Sequence, residues 1–227
     1  MSFGTAGGAL AQRVAVAAIG WVAGDLLLRR SFDSAAPLPA GIGLPERALA
    51  AIAGFVGFSV VGMLGNMVTG GAVFGLPGLV PAAGAAVVVT GIRRGTWPRR
   101  VPLKLVVPAA LVLVTLYVVP VVAGGSGVRT GDAPWHLGWT EQLLAGEPVP
   151  VGPAPEYARN AYPWGWHAVL ATMVRLVPGA DPLVALEAAH VLLVLAIPLG
   201  AASLARRVHA RAGWPAAAAA SLVGGWG

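Results

Sequence analysis

The sequence predicts an all-α, polytopic helical membrane protein with about five to six transmembrane helices and an extracytoplasmic loop carrying two juxtamembrane helices. Three observations lead there. Charged residues make up 11% of the chain and hydrophobic ones 57%. A water-soluble domain carries about 25% charged residues, so this composition calls for lipid as the solvent. The charges are also absent over long reaches, with 45 uncharged residues between Arg47 and Arg93 and 24 more between Lys104 and Arg129. A helical span needs about 20 apolar residues, so the first reach holds two spans and the second holds one. Finally, the cations cluster at the ends of apolar runs, as topology signals do.

Taken in order, the first span covers roughly residues 9–28, with Arg13 near its start and Asp25 near its end. It has no basic residue before Arg13 and no small-residue cleavage site, so it reads as a retained span and not as a signal peptide. The polar connection RRSFDSAAPLPAGIGLPER leads to a second span, about 48–69, and Gly70-Gly71 turns the chain into a third, about 72–92. A basic loop, RRGTWPRRVPLK, precedes the fourth, about 105–123. The least hydrophobic region, 124–163, follows. WGWHAVLATMVRLV is then apolar but short and interrupted by Arg175, a clearer span runs about 183–204, and WPAAAAASLVGGWG reads as the opening of a sixth. This divides the chain into N-terminal transmembrane helices (1–123), the outer loop with its juxtamembrane helices (124–182) and C-terminal transmembrane helices (183–227).

The arginines orient these spans. Arg29, Arg30 and Arg47 fall on one side with Arg93, Arg94, Arg99, Arg100 and Lys104. If 164–177 lies at the surface or re-enters without crossing, Arg206, Arg207 and Arg211 return to that same side. The loop 124–182 is then extracytoplasmic in a multi-pass cell-membrane protein. The formal net charge of +6 therefore reports topology. Nucleic acid is not an expected partner, because the chain offers no polar basic face. Cysteine is absent, which excludes disulfides and thiolate metal sites.

Chemistry gathers in the outer loop. Four of the nine acidic residues (Asp132, Glu141, Glu147, Glu156) and four of the eight tryptophans (Trp135, Trp139, Trp164, Trp166) lie in or beside it. Tryptophans settle at any lipid headgroup layer, so they alone prove little. Asp132 as N-cap, Pro134 in the first turn and Gly146 as stop predict an amphipathic helix over 133–145, lying on the membrane. Its stripe is expected to hold Trp135, Trp139 and Leu143, with His136, Thr140 and Glu141 beside it. Asp132 and His136 are four apart, so the histidine can face the carboxylate. A proline-rich turn then brings in Asn160, Tyr162 and the element YPWGWH, with Trp164 and His167. A carboxylate beside a histidine supplies a general base for a hydroxyl, and aromatic rings stack sugars. A metal pair of His136 and Asp132 needs a further ligand, for which Glu141 and His167 are available. The plainer alternative is that Asp132 only caps a helix.

GDAPWHLGW, LLAGEPVP and YPWGWH, in that order, resemble the first extracytoplasmic loop of the GT-C class of membrane glycosyltransferases, over about residues 131–205. That resemblance implies transfer of a sugar from a polyprenyl-phosphate donor to a glycan or lipid acceptor hydroxyl. It makes Asp132 the general base or the holder of a divalent cation, with His136 as its companion. Trp135, Glu141, Asn160, Tyr162, Trp164 and His167 would line the substrate. The class also uses basic residues of later loops to hold the lipid phosphate, and more spans than this chain contains. Two other readings stay open: a non-catalytic membrane subunit, and a small transporter built on Asp25, Asn66 and His190, the polar groups at membrane depth.

Overall fold

A computed structural model describes residues 3–31, 43–95, 133–151, 164–177, 179–209 and 212–224. All regular structure among them is helical: α1 (Phe3–Ser31), α2 (Leu44–Val68), α3 (Ala72–Gly75), α4 (Leu79–Arg93), α5 (Ala133–Ala145), α6 (Gly165–Leu176), α7 (Pro182–Val208) and α8 (Gly213–Gly224). Three helical segments are long and apolar enough to cross a membrane, Ala11–Arg29, Pro45–Val68 and Pro182–Val208. They match the first, second and fifth spans expected from the sequence. The fourth, 105–123, lies outside the described residues.

The region of the expected third span is not one continuous helix. Leu76, Pro77 and Gly78 interrupt it, leaving the single turn α3 and the 15-residue α4. Fifteen residues rise only about 22 Å, short of the roughly 30 Å hydrocarbon core. Proline has no N–H to continue the helix and its ring disfavours helical geometry before it, so the break falls at Pro77.

α1 and α2 run antiparallel and pack through small residues. A side chain at Gly24 would meet the Ala50 backbone, and one at Gly54 would lie 2.3 Å from the Gly24 nitrogen. Only glycine permits that separation, which lets two backbones approach in lipid. Gly57 has open space around it, so not every glycine of the apolar run serves packing.

The bundle has two chemically distinct ends. At one, Arg29 pairs with Asp25 at 2.7 Å, and Arg206 near the end of α7 reaches Glu46 at the start of α2, at 3.2 Å. At the other, α2 finishes in a Schellman motif: Gly71 N–H bonds the Asn66 carbonyl at 2.7 Å and Gly70 N–H the Met67 carbonyl at 3.4 Å. α5 ends the same way, with Glu147 N–H to Gln142 and Gly146 N–H to Leu143. The two turns meet. A Cβ on Gly71, whose φ is +99°, would collide with the Gly146 carbonyl, and Gly146 itself has φ +100°. Left-handed geometry and close backbone contact thus both demand glycine.

Candidate functional site

α5 and α6 form the candidate site. α5 begins at Ala133, directly after Asp132, and stops before Gly146, with the boundaries the capping residues predict. Its buried face is corrected, however. Trp139, Thr140 and Leu143 are buried and His136 is half-buried, whereas Trp135 is 52% exposed and Glu141 is exposed. The inward stripe is therefore 136, 139, 140 and 143, the i, i+3, i+4, i+7 pattern. It includes a histidine and a threonine because the surface it meets is also polar. Thr140 donates to the His136 carbonyl at 2.7 Å, which satisfies its hydroxyl inside the helix.

Of the two forms expected for 164–177, surface-lying or re-entrant, the surface-lying one does not hold for α6, which is interior. His167 to Met173 are all buried, and the helix packs against α1, α2, α4, α5 and α7. Its 12 residues cannot cross a bilayer, so it sits inside the protein at the end of the bundle that holds the α2 and α5 turns.

The two motif histidines meet across this pair of helices. His136 Nδ1 lies 3.1 Å from His167 Nε2, with the rings tilted by 32°. The Trp139 ring stands edge-on to His167 at a centroid distance of 5.0 Å. His167 is fully buried, and its pKa is pushed down to about 4, first by desolvation and then by the neighbouring His136. It is therefore neutral at physiological pH, with one ring nitrogen protonated.

Two polar residues fix the far end of α5. The Asn66 amide donates to the Glu147 carbonyl at 2.9 Å and the Pro148 carbonyl at 3.3 Å, and its oxygen accepts from Phe74 N–H at 2.9 Å. Arg175 donates through Nε to the Phe74 carbonyl and through Nη2 to the carbonyls of Gly75 and Leu144. One guanidinium thus caps the ends of α3 and α5, where helix dipoles favour a cation. Burial pulls its pKa below the ordinary arginine value. Arg175 reads from sequence as an interruption of an apolar run; its role needed the tertiary contact to become visible. Gln12 adds a third tie, donating to the Met173 carbonyl at 2.8 Å and fastening α1 to α6.

Of the residues expected to form the site, His136 and His167 are brought together. Trp164 is half-buried beside the core, and Trp135 and Glu141 stand outward. Asp132, Asn160 and Tyr162 lie outside the described residues. Among the described residues no group of three or more histidines, aspartates or glutamates is placed to hold a metal. The three groups on which transport would rest are scattered. Asp25 pairs with Arg29 at the arginine end, Asn66 binds the turn at the opposite end, and His190 contacts Leu186 O at 3.3 Å and the Trp166 ring at 5.8 Å. No protein-family model, curated protein or solved structure matches the chain.

Proposed function

We propose that the chain is a membrane glycosyltransferase of the GT-C kind, or the N-terminal part of one. It would transfer a sugar from a polyprenyl-phosphate donor to an acceptor hydroxyl on the extracytoplasmic face. Asp132 would act as general base or hold a divalent cation, with His136 beside it. One observation carries this reading: histidines from the two separate loop motifs, DAPWH and YPWGWH, meet at 3.1 Å. His136 sits one turn from Asp132 in sequence, so the pair belongs to the entrance of α5, where the resemblance expects the reacting groups. The scattering of Asp25, Asn66 and His190 argues against a transport path.

A non-catalytic membrane subunit is the second reading. It is favoured by the complete burial of His167, which removes that residue from direct contact with a substrate.

The test is transfer from polyprenyl phosphate carrying radiolabelled mannose, glucose or arabinose into membrane acceptors, by the protein in lipid nanodiscs. Loss of a general base costs about 10²–10⁴-fold, so D132N is expected to fall by at least about 100-fold while inserting normally. Equal transfer by D132N and the wild type removes Asp132 from the mechanism, and no transfer from any donor favours the subunit.

A further inference from the structure

We infer that the arginine end of the bundle carries a binding site for an anionic phospholipid, with Arg47 at the start of α2 and Arg207 at the end of α7 holding the headgroup phosphate. The site lies at the opposite end from the paired loop helices and does not rest on the transferase reading.

α2 and α7 pack against each other. The Glu46–Arg206 pair, 3.2 Å apart, joins the start of one to the end of the other, so the two helices run antiparallel. Arg206 is fixed in that seam. A Cβ on Gly43 would collide with its guanidinium, and one on Gly213 with its aliphatic stem. Glu46 is in turn neutralised by Arg206. The next residue on each helix is again an arginine, Arg47 and Arg207, and both are exposed. Among the described residues neither of them forms an ion pair.

Helix geometry puts these two on the same flank of the seam. Each residue advances about 100° around its axis. In an antiparallel pair, the residues that follow the contact on both helices turn toward one side. Pro45 and Ala205, which precede the contact, turn toward the other side and carry no charge. One flank therefore holds two uncompensated guanidiniums and the other holds none. Packed helix axes lie about 8–10 Å apart, a gap that two arginine side chains can close on a single phosphate. Their planar forks match its oxygens bidentately.

The surroundings select a lipid as the source of that phosphate. Leu204, three residues before Arg207, is 66% exposed, and Val208, directly after it, is 89% exposed. An acyl chain covers such a surface, whereas a soluble phosphate leaves it in water. A zwitterionic headgroup would bring its own ammonium up to the two guanidiniums, so a net negative headgroup is preferred. Basic sites between spans at a membrane surface are suited to such headgroups.

The test is native mass spectrometry of the protein in a neutral detergent, titrated with dioleoyl phosphatidylglycerol and with dioleoyl phosphatidylcholine. Phosphatidylglycerol is expected to be retained where phosphatidylcholine is lost. One arginine beside an anionic headgroup is worth about fivefold in affinity, so R47Q/R207Q is expected to weaken retention about 25-fold. R93Q/R94Q removes two exposed arginines from the end of α4. It is expected to change retention by less than about twofold, since charges away from the seam are screened. Thermal unfolding checks that both variants are folded. The single variants R47Q and R207Q, each expected to weaken retention about fivefold, serve if the double variant does not fold. Equal losses in R47Q/R207Q and R93Q/R94Q would reduce the site to a diffuse positive field and overturn the inference. Equal retention of the two lipids would overturn it as well. So would displacement of phosphatidylglycerol by excess inorganic phosphate, which would mark a site for the free anion.

Discussion

Two helix pairs in this protein are held by opposite means. α1 and α2 meet through the absence of side chains, with Gly24 and Gly54 admitting the other backbone to within van der Waals reach. α5 and α6 meet through polar side chains, His136 on His167, supported by Arg175 and Asn66 on the adjoining turns. The first pairing responds to volume and is indifferent to protons. The second responds to hydrogen-bonding groups and to charge. In lipid, small-residue contact suits elements that only need to stay together, whereas a buried polar seam invites a functional explanation.

The largest effect expected from breaking that contrast is on the first pair. G24L forces a side chain into the Ala50 backbone, and neither side can yield. Overpacking a core costs about 1–3 kcal/mol and more against backbone, so G24L is expected to abolish the folded species in size-exclusion and thermal unfolding. G57L, with open space at the site, is expected to leave both unchanged. Loss of fold in both variants would show that bulk anywhere on α1 or α2 is harmful and that the contact is not special.

Next comes N66L. It strands the carbonyls of Glu147 and Pro148 and the Phe74 N–H. Each unsatisfied buried group costs about 1–3 kcal/mol, discounted here because the site is part-buried. A fall in Tm with the α1–α2 pair still intact is expected, together with faster hydrogen exchange in residues 144–148. Unchanged exchange there would detach Asn66 from the α5 anchor.

Acid should act on the second pair. The pKa of His167 is about 4 in the folded protein, below the roughly 6.5 of an unfolded chain. The unfolded state therefore takes up the proton first as pH falls. Stability contributed by neutral His167 is complete above about pH 6.5 and is lost progressively down to about pH 4, by roughly 2 kcal/mol after allowance for screening. Tm measured from pH 7.5 to 4.5 should fall more steeply for the wild type than for H167Q. Parallel curves would mean the histidine is not buried in its neutral form.

The smallest effect belongs to the arginine end. The Arg206–Glu46 pair is partly exposed, and such pairs contribute about 0–1 kcal/mol. E46Q is expected to shift Tm by little, within the error of a detergent measurement at high salt. A large shift would place this contact among the buried ties.

Capping chemistry made much of the fold legible. Gly70-Gly71 and Gly146 announced the turns they form. The break at Pro77-Gly78 carries a turn signal too, but it lies in 45 uncharged residues, where composition alone argues for unbroken helix. The face of α5 was misread for a related reason. Ranking positions by hydrophobicity puts Trp135 inside and His136 and Thr140 beside it, because it assumes an apolar neighbour. The neighbour is α6, whose own histidine supplies a polar contact 31 residues away. Arg175 is a similar case: its three carbonyl acceptors come from segments 31 to 101 residues distant.

The charge pattern predicts that the paired loop helices lie on the membrane face opposite the arginines. Because the chain has no cysteine, single-cysteine labelling with a membrane-impermeant maleimide tests this in intact cells. E141C, on the exposed face of α5, is expected to label from outside, and R94C only after permeabilisation. Labelling of both from the same side would place the loop helices with the arginines and contradict the account.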